Sequence, residues 1–167
     1  MTETQAALCT DFKLAMRRLA TTVSILTCRA GAEPAGMAVT SVSSLSAEPP
    51  ALLVCVNRLT RIHPSLDLGR AICLNLLADH QQGLCDVFGG GVPAAERFTN
   101  GKWDYAANFD APYLLDAQAN LFCRVDALFD YGTHSIVVGK VEMIRLHGEV
   151  RPLIFGNGGF MRVGEGT

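Results

Sequence analysis

Asn120-Leu-Phe-Cys-Arg-Val-Asp-Ala-Leu-Phe129, followed by Asp-Tyr-Gly-Thr-His134 and Ser135-Ile-Val-Val-Gly-Lys-Val-Glu-Met-Ile-Arg-Leu146, reads as two long strands and a turn. In the first run Arg124 and Asp126 alternate with Cys123, Val125 and Ala127. In the second, Lys140 and Glu142 alternate with Val137, Gly139, Val141 and Met143. A period of two places one set toward a core and the other outward. Tyr131-Gly-Thr-His134 turns the chain between them.

The same signals continue upstream. Thr22-Val-Ser-Ile-Leu-Thr-Cys28 is rich in β-branched residues and reads as a strand, and Gly31 to Pro34 read as a turn. Met37 to Leu45 reads as one further strand interrupted by hydroxyls, Ala51 to Val56 as a strand buried on both faces, and Ala71 to Leu77 as another. Helical signals are few. Thr10 or Asp11 is a candidate cap for a helix with Phe12, Ala15, Met16 and Leu19 on one face. Asp79 is a candidate cap for a short helix to Phe88, with Leu84, Val87 and Phe88 inward. Gly89-Gly-Gly-Val-Pro93 is a loop, residues 94 to 116 read as irregular, and Pro152-Leu-Ile-Phe155 is a last short segment. Many short strands and few helices predict a mainly β, antiparallel barrel in one domain with a few flanking helices. The regular strand–helix alternation of a parallel nucleotide-binding sheet is absent.

Composition narrows the partners. The 167 residues are 49% hydrophobic and only 18% charged, with a net charge of −2. So apolar a chain predicts burial against a second copy, a homodimer. No basic stripe suits nucleic acid or an anionic membrane surface. No apolar run nears the roughly 20 residues that span a bilayer. The six cysteines stand at least 12 positions apart, so no zinc spacing occurs and no metal is expected. The first residues, Met-Thr-Glu-Thr-Gln, lack a basic segment followed by an apolar one. A reduced, cytoplasmic protein is expected.

Familiar catalytic motifs are also missing. Gly89-Gly-Gly91-Val-Pro-Ala94 fits G-x-G-x-x-A formally, but it follows a helical segment and carries Pro93 where a helix would start. There is no Walker A sequence, no G-x-S-x-G elbow and no H-x-x-x-H pair. What stands out is Gly36 to Pro50, where Thr40, Ser41, Ser43, Ser44 and Ser46 precede a Pro-Pro stop and a buried strand ending in Asn57-Arg58. Neutral hydroxyls and backbone N–H groups at a strand edge suit a flat ligand with a phosphate, such as a flavin nucleotide. A Ser-rich connecting loop is the alternative. Ser44 and Ser46 are two apart and would share a strand face. Asn57 and Thr60 are ligand contacts or a turn cap, and Arg58 pairs with a phosphate or with a surface carboxylate. Arg97-Phe98 closes a site or makes a structural contact. Phe160, after a Gly-rich loop, covers a ring or packs in the core. His134 is a ligand contact or a structural histidine.

Several segments in order carry a family resemblance: Phe12-Lys-Leu-Ala-Met-Arg-Arg-Leu-Ala20, the hydroxyl stretch to Pro49-Pro50, Leu53-Val-Cys-Val-Asn-Arg58 and Cys73-Leu-Asn-Leu-Leu77. Gln81 with Phe88, Glu96-Arg-Phe98 with Trp103, Gly132-Thr-His134 with Val138-Gly139, and Pro152-Leu-Ile-Phe155 continue the series. From about residue 12 to 160 the chain resembles the short-chain flavin reductases that serve two-component flavin-dependent monooxygenases. Its Gly-Thr-His turn is similar to that of the 4-hydroxyphenylacetate 3-monooxygenase reductase subgroup. The resemblance implies an FMN-binding split β-barrel acting as a homodimer. It implies NADH or NADPH as co-substrate, FMN or FAD as the flavin, and a separate oxygenase component receiving diffusible reduced flavin. The implied flavin contacts are Ala38, Val39, Thr40 and Ser41; Ser44, Leu45 and Ser46; and Asn57, Arg58 and Thr60. His134 would serve the nicotinamide as the catalytic-site residue, positioning it without acting as an essential base. The family often has Thr where this chain has Ala38, and Asn where it has Thr40, so any contact at position 38 must come from the backbone. A non-catalytic flavin-binding module or a flavin-dependent oxidase on the same barrel are the other readings.

Overall fold

A computed structural model describes residues 2–161; Met1 and residues 162–167 lie outside the described residues. The chain opens with α1 (Glu3–Met16), then β1 (Thr21–Thr22), β2 (Ser24–Ala30), β3 (Glu33–Val39), β4 (Val42–Ala47), β5 (Pro50–Asn57) and β6 (Ala71–Leu76). The short α2 (Gln82–Asp86), β7 (Trp103–Tyr105), β8 (Pro112–Leu114), β9 (Ala119–Tyr131), β10 (His134–Leu146), β11 (Ile154–Gly156) and β12 (Gly159–Met161) follow. The fold is mainly β with few helices. Seven strands form one antiparallel sheet in the order β3-β2-β6-β9-β10-β5-β4. Small sheets β1-β11-β12 and β7-β8 flank it.

The β9–β10 hairpin is the spine. Tyr131 lies opposite His134, leaving Gly132-Thr133 as a two-residue turn, and Gly132 takes φ +56. Two bulges leave Asp126 and Glu142 without a direct partner across the hairpin. Phe122 and Cys123 are both fully buried because both faces of β9 are covered.

The main sheet must curl. Its edge strands β3 and β4 are joined by Thr40 and Ser41 alone, so Val39 and Val42 are at most roughly 11 Å apart. In a flat sheet, six interstrand gaps would separate the edges by about 29 Å. Inside the curl lie Leu26, Cys28, Val54, Val56, Ile72, Leu74, Val125 and Val137. Outside, Ile25 and Val23 pack under Phe88, Leu114 and Leu153, while Cys73 and Phe122 pack under Phe109 and Tyr113. Buried Asn75 ties the cover to the sheet. Its Nδ2 donates to the Ile25 carbonyl (2.9 Å), and its Oδ1 accepts from Leu114 N (2.8 Å) and Asn120 Nδ2 (2.9 Å).

Several expectations change. The first helix begins at Glu3, capped by Thr2, whose Oγ1 accepts from Gln5 N at 3.3 Å; Thr10 and Asp11 lie inside it. Its apolar residues stay exposed, Leu8 at 67% and Phe12 at 60%. The stretch Met37 to Leu45 is not one strand: the chain leaves one edge of the sheet after Val39 and joins the other at Val42. Pro34 belongs to β3, where an edge position tolerates its missing N–H. β5 alternates rather than burying both faces equally. Residues 79–91 pass through a 3-10 turn, α2 and a π turn, with Gln81 Oε1 accepting from Ala78 N (2.9 Å) in place of an Asp79 cap. The irregular region 94–116 contains a 3-10 turn and the β7–β8 hairpin. Asn157-Gly158, both at positive φ, close a β11–β12 hairpin that the Gly-rich run had concealed. No described helix is long and apolar enough to cross a membrane.

Candidate functional site

A groove of about 690 Å³ opens along β3. One wall is Glu33 to Ala38, the second is the turn Leu59 to Ile62, and the third is Phe88-Gly89 with Ala94, Ala95, Arg97 and Phe98. β3 is an edge strand, so one side of its backbone has no ladder partner. Gly36 makes the third wall possible. A Cβ there would sit 2.8 Å from the Phe88 ring, so only glycine lets that ring rest on the strand. Phe88 is delivered by the π turn after α2 and stacks edge-on against Phe98, with centroids 5.2 Å apart. Trp103 backs both rings, at 5.2 and 5.0 Å. Arg97 ties this wall to β3: its Nη1 donates to the Gly36 carbonyl (3.0 Å) and its Nε to the Val92 carbonyl (3.3 Å).

The second wall is a tight turn at the end of β5. Asn57 Oδ1 accepts from Leu59 N (2.9 Å), and Thr60 Oγ1 donates to the Asn57 carbonyl (2.7 Å). Leu59 is thrown outward, 91% exposed, while Ile62 drops into the interior cluster at 2%. Between them Arg61 lines the groove with no hydrogen bond or ion pair to any described residue. The groove therefore offers a free cation, unpaired strand edge and an aromatic wall. Among the described residues no cluster of His, Cys, Asp or Glu could hold a metal. Burial pushes the Cys28 and Cys123 thiols up to about 12, and both point into the interior cluster, so neither is a nucleophile.

Of the residues singled out in the sequence, Ala38, Thr60, Arg97 and Phe98 line the groove. Val39 is buried in the interior cluster. Thr40 and Ser41 form the corner between the two edges, where Ser41 Oγ donates to the Cys55 carbonyl (3.0 Å). Ser44, Leu45 and Ser46 lie on β4, at the opposite edge, and line no part of the groove. A bulge at Leu45 pairs Ser44 with Leu52 and Ser46 with Ala51, residues on opposite faces of β5, so the two serines do not share a face. Asn57 is spent on the turn. Arg58 turns away, with Nη2 donating to the Gly132 carbonyl (2.7 Å) and Nη1 3.5 Å from Asp130 Oδ2. His134 is exposed opposite Asn57, its Nδ1 2.8 Å from Thr133 Oγ1, and lines no groove surface. Phe160 packs on Phe155 at 5.5 Å and joins the outer cluster.

Sequence reasoning missed Gly36 and Arg61. Arg61 had a visible signal, being the second arginine of Arg58-Leu-Thr-Arg61, but choosing between them required the hairpin that occupies Arg58.

Residues 16–164 match the family described as Flavin reductase like domain. The chain is 40% identical over 149 residues to the reductase component of the FADH(2)-dependent resorcinol hydroxylase of Rhizobium sp. (strain MTP-10005), covering 88% of this chain and 83% of that one. It is 37% identical over 145 residues to the FMN reductase (NADH) RutF of Variovorax paradoxus (strain S110), covering 87% and 80%. Among solved structures it is similar to the NADH:FAD oxidoreductase SgcE6 of Streptomyces globisporus C-1027, in complex with NAD and FAD fragments. The TM-score is 0.85, with 25% identity and 93% of each chain covered.

Proposed function

Since the chain belongs to the flavin reductase-like domain family, we propose that it is an NAD(P)H:flavin oxidoreductase. It reduces FMN or FAD and supplies diffusible reduced flavin to a separate monooxygenase. The observation that carries this reading is the groove beside β3, where an unpaired Arg61, an open strand edge and the Phe88–Phe98 wall meet. The groove residues fit a flavin nucleotide. Arg61 suits its phosphate, the free edge at Gly36 to Ala38 suits the polar rim of its ring, and Phe88 and Phe98 exclude water from its face.

Bound flavin supplies the capacity to accept a hydride from a nicotinamide, chemistry that the two nucleotides already possess. The protein's task is binding, orientation and exclusion of water. Ala38 contributes backbone only. His134, at the turn opposite Asn57, orients the nicotinamide. His134→Ala is therefore expected to raise the NADH Michaelis constant, with flavin affinity within about threefold (under roughly 0.7 kcal/mol). Collapse of flavin binding instead would remove that role.

The curled sheet is read as a split β-barrel, and residues 1–167 as one flavin reductase-like domain with its core at about 12–160. Exposed Leu8, Phe12, Tyr131 and Leu146 support a homodimer, working in the cytoplasm. Sedimentation at micromolar concentration should give twice the 17.9 kDa chain mass; a stable monomer contradicts the dimer. The function itself is tested by mixing the protein with NADH and excess free FMN or FAD and following the nicotinamide absorbance. Catalytic oxidation supports the reductase. Flavin binding without turnover returns the non-catalytic module.

A further inference from the structure

Beneath the groove-lining turn runs a hydrogen-bonded chain that includes no groove residue. Ser135 on β10 is 1% exposed and lies opposite Asp130 on β9. Its Oγ is 2.5 Å from Asp130 Oδ1 and 2.8 Å from His63 Nε2. The hydrogen bond from Ser135, followed by attraction to Arg58 and His63, outweighs partial desolvation and holds the Asp130 carboxyl below the ordinary carboxylate value. Ionised, Asp130 only accepts, and Ser135 has a single proton to give it. The hydroxyl must then accept from His63, so His63 carries a proton on Nε2. Donation runs in one direction, from His63 to Ser135 to Asp130.

The same carboxylate is approached from the other side by Arg58, whose Nη1 is 3.5 Å from Oδ2. Arg58 also donates to the Gly132 carbonyl through Nη2 (2.7 Å) and to the Thr133 carbonyl through its backbone N (3.0 Å). Arg58 and His63 bracket the groove turn: Leu59 to Ile62, which line the groove, lie between them. Both brackets end on Asp130.

We propose that Asp130 is a positioning residue for the anion-facing turn. It holds both ends of residues 58–63 against the β9–β10 hairpin and so fixes where Arg61 meets a nucleotide phosphate. The proposal rests on reading the groove as a flavin-nucleotide site. Its physical content is preorganisation: a turn already held in its binding geometry loses less freedom when the ligand arrives.

The test is FMN titration, by quenching of flavin fluorescence, of the full chain and of Asp130→Ala, Asp130→Asn, His63→Ala and the double variant Asp130→Ala/His63→Ala. Asp130→Ala should weaken FMN about tenfold, the effect of roughly one charge-assisted hydrogen bond. The loss should fall on the flavin Michaelis constant rather than on kcat. Asp130→Asn, which keeps an acceptor for Ser135, should recover most of the affinity. The double variant should be no worse than the more severe single one, because both cut one chain. Affinity within twofold of wild type in Asp130→Ala, additive losses, or a loss that follows thermal stability without rescue by Asn would each overturn the proposal. Should Asp130→Ala fail to fold, Asp130→Asn and His63→Ala decide: an unchanged dissociation constant in His63→Ala overturns it. If wild-type protein binds no FMN or FAD, the flavin reading falls and the positioning role with it. Tight wild-type binding with unchanged variants removes the role of Asp130 alone.

Discussion

β3 and β4 are consecutive in the chain, separated by Thr40 and Ser41, and they form the two edges of the same sheet. β4 carries the hydroxyls, Ser43, Ser44 and Ser46, and is open to solvent along nearly its whole length. β3 has no hydroxyl at all, yet the groove runs along it. What separates them is cover. β3 has a glycine that admits the Phe88 ring, an arginine strut from the 94–99 turn, and a facing wall in Leu59 to Ile62. A binding groove needs concavity first and polar groups second, because a polar group already in water gains little by exchanging water for ligand.

The comparison breaks most severely if the aromatic wall is removed. Phe88 is 1% exposed and contacts both Phe98 and Trp103. Phe88→Ala should cost about 3–5 kcal/mol of stability in urea unfolding and abolish flavin affinity with it. A loss below about 1 kcal/mol would mean that the β3 edge is no better covered than β4.

Next is the free cation. Arg61→Ala should weaken FMN by about 1.5–3 kcal/mol, the range for a hydrogen bond to a charged group, with little effect on the fold. Direct truncation of the phosphate contact should cost at least as much as loosening the turn beneath it. Adding inorganic phosphate should compete with FMN for wild type and not for the variant. Equal affinities with and without Arg61 would move the phosphate site elsewhere. Gly36→Ala comes third. The added methyl meets the buried Phe88 ring at 2.8 Å and the Phe98 ring at 3.2 Å, and Trp103 backs both rings. Overpacking of this kind costs about 1–3 kcal/mol, readable as a lower Tm. An unchanged Tm would show the wall to be yielding.

How much of this was legible in the sequence follows from the range of each interaction. The β9–β10 hairpin was readable because its alternation and its Gly132 turn are local. The break at Thr40-Ser41 was not, because a strand that changes edge keeps the same extended backbone and shows itself only in its partners. Ala38 and Thr60, which the family resemblance implies as contacts, line the groove, as do Arg97 and Phe98. Arg58 was singled out where Arg61 lines the groove, because the hairpin that takes up Arg58 lies more than seventy residues along the chain. The serines of β4 line no part of the groove for the same reason. Whether a hydroxyl faces a groove depends on what covers it, and the covering residues, Phe88 and Arg97, are distant in sequence.

The smallest expected effect is the sharpest test of the difference between the two edges. Ser44 and Ser46 are both exposed, the bulge at Leu45 directs them to opposite faces, and Ser46 Oγ is already engaged in accepting from Glu48 N at 3.1 Å. The double variant Ser44→Ala/Ser46→Ala removes two solvated hydroxyls and leaves no buried partner unsatisfied. Surface substitutions of this kind stay within about 0.5 kcal/mol, so the FMN dissociation constant should stay within about threefold of wild type, with Tm shifted by at most a few degrees. Within a dimer the prediction has a second edge. If a partner subunit folds over β4 and completes a flavin site there, the same double variant would lose affinity by tenfold or more while Arg61→Ala lost little. Measuring both variants in one titration series therefore decides which edge of the sheet holds the nucleotide.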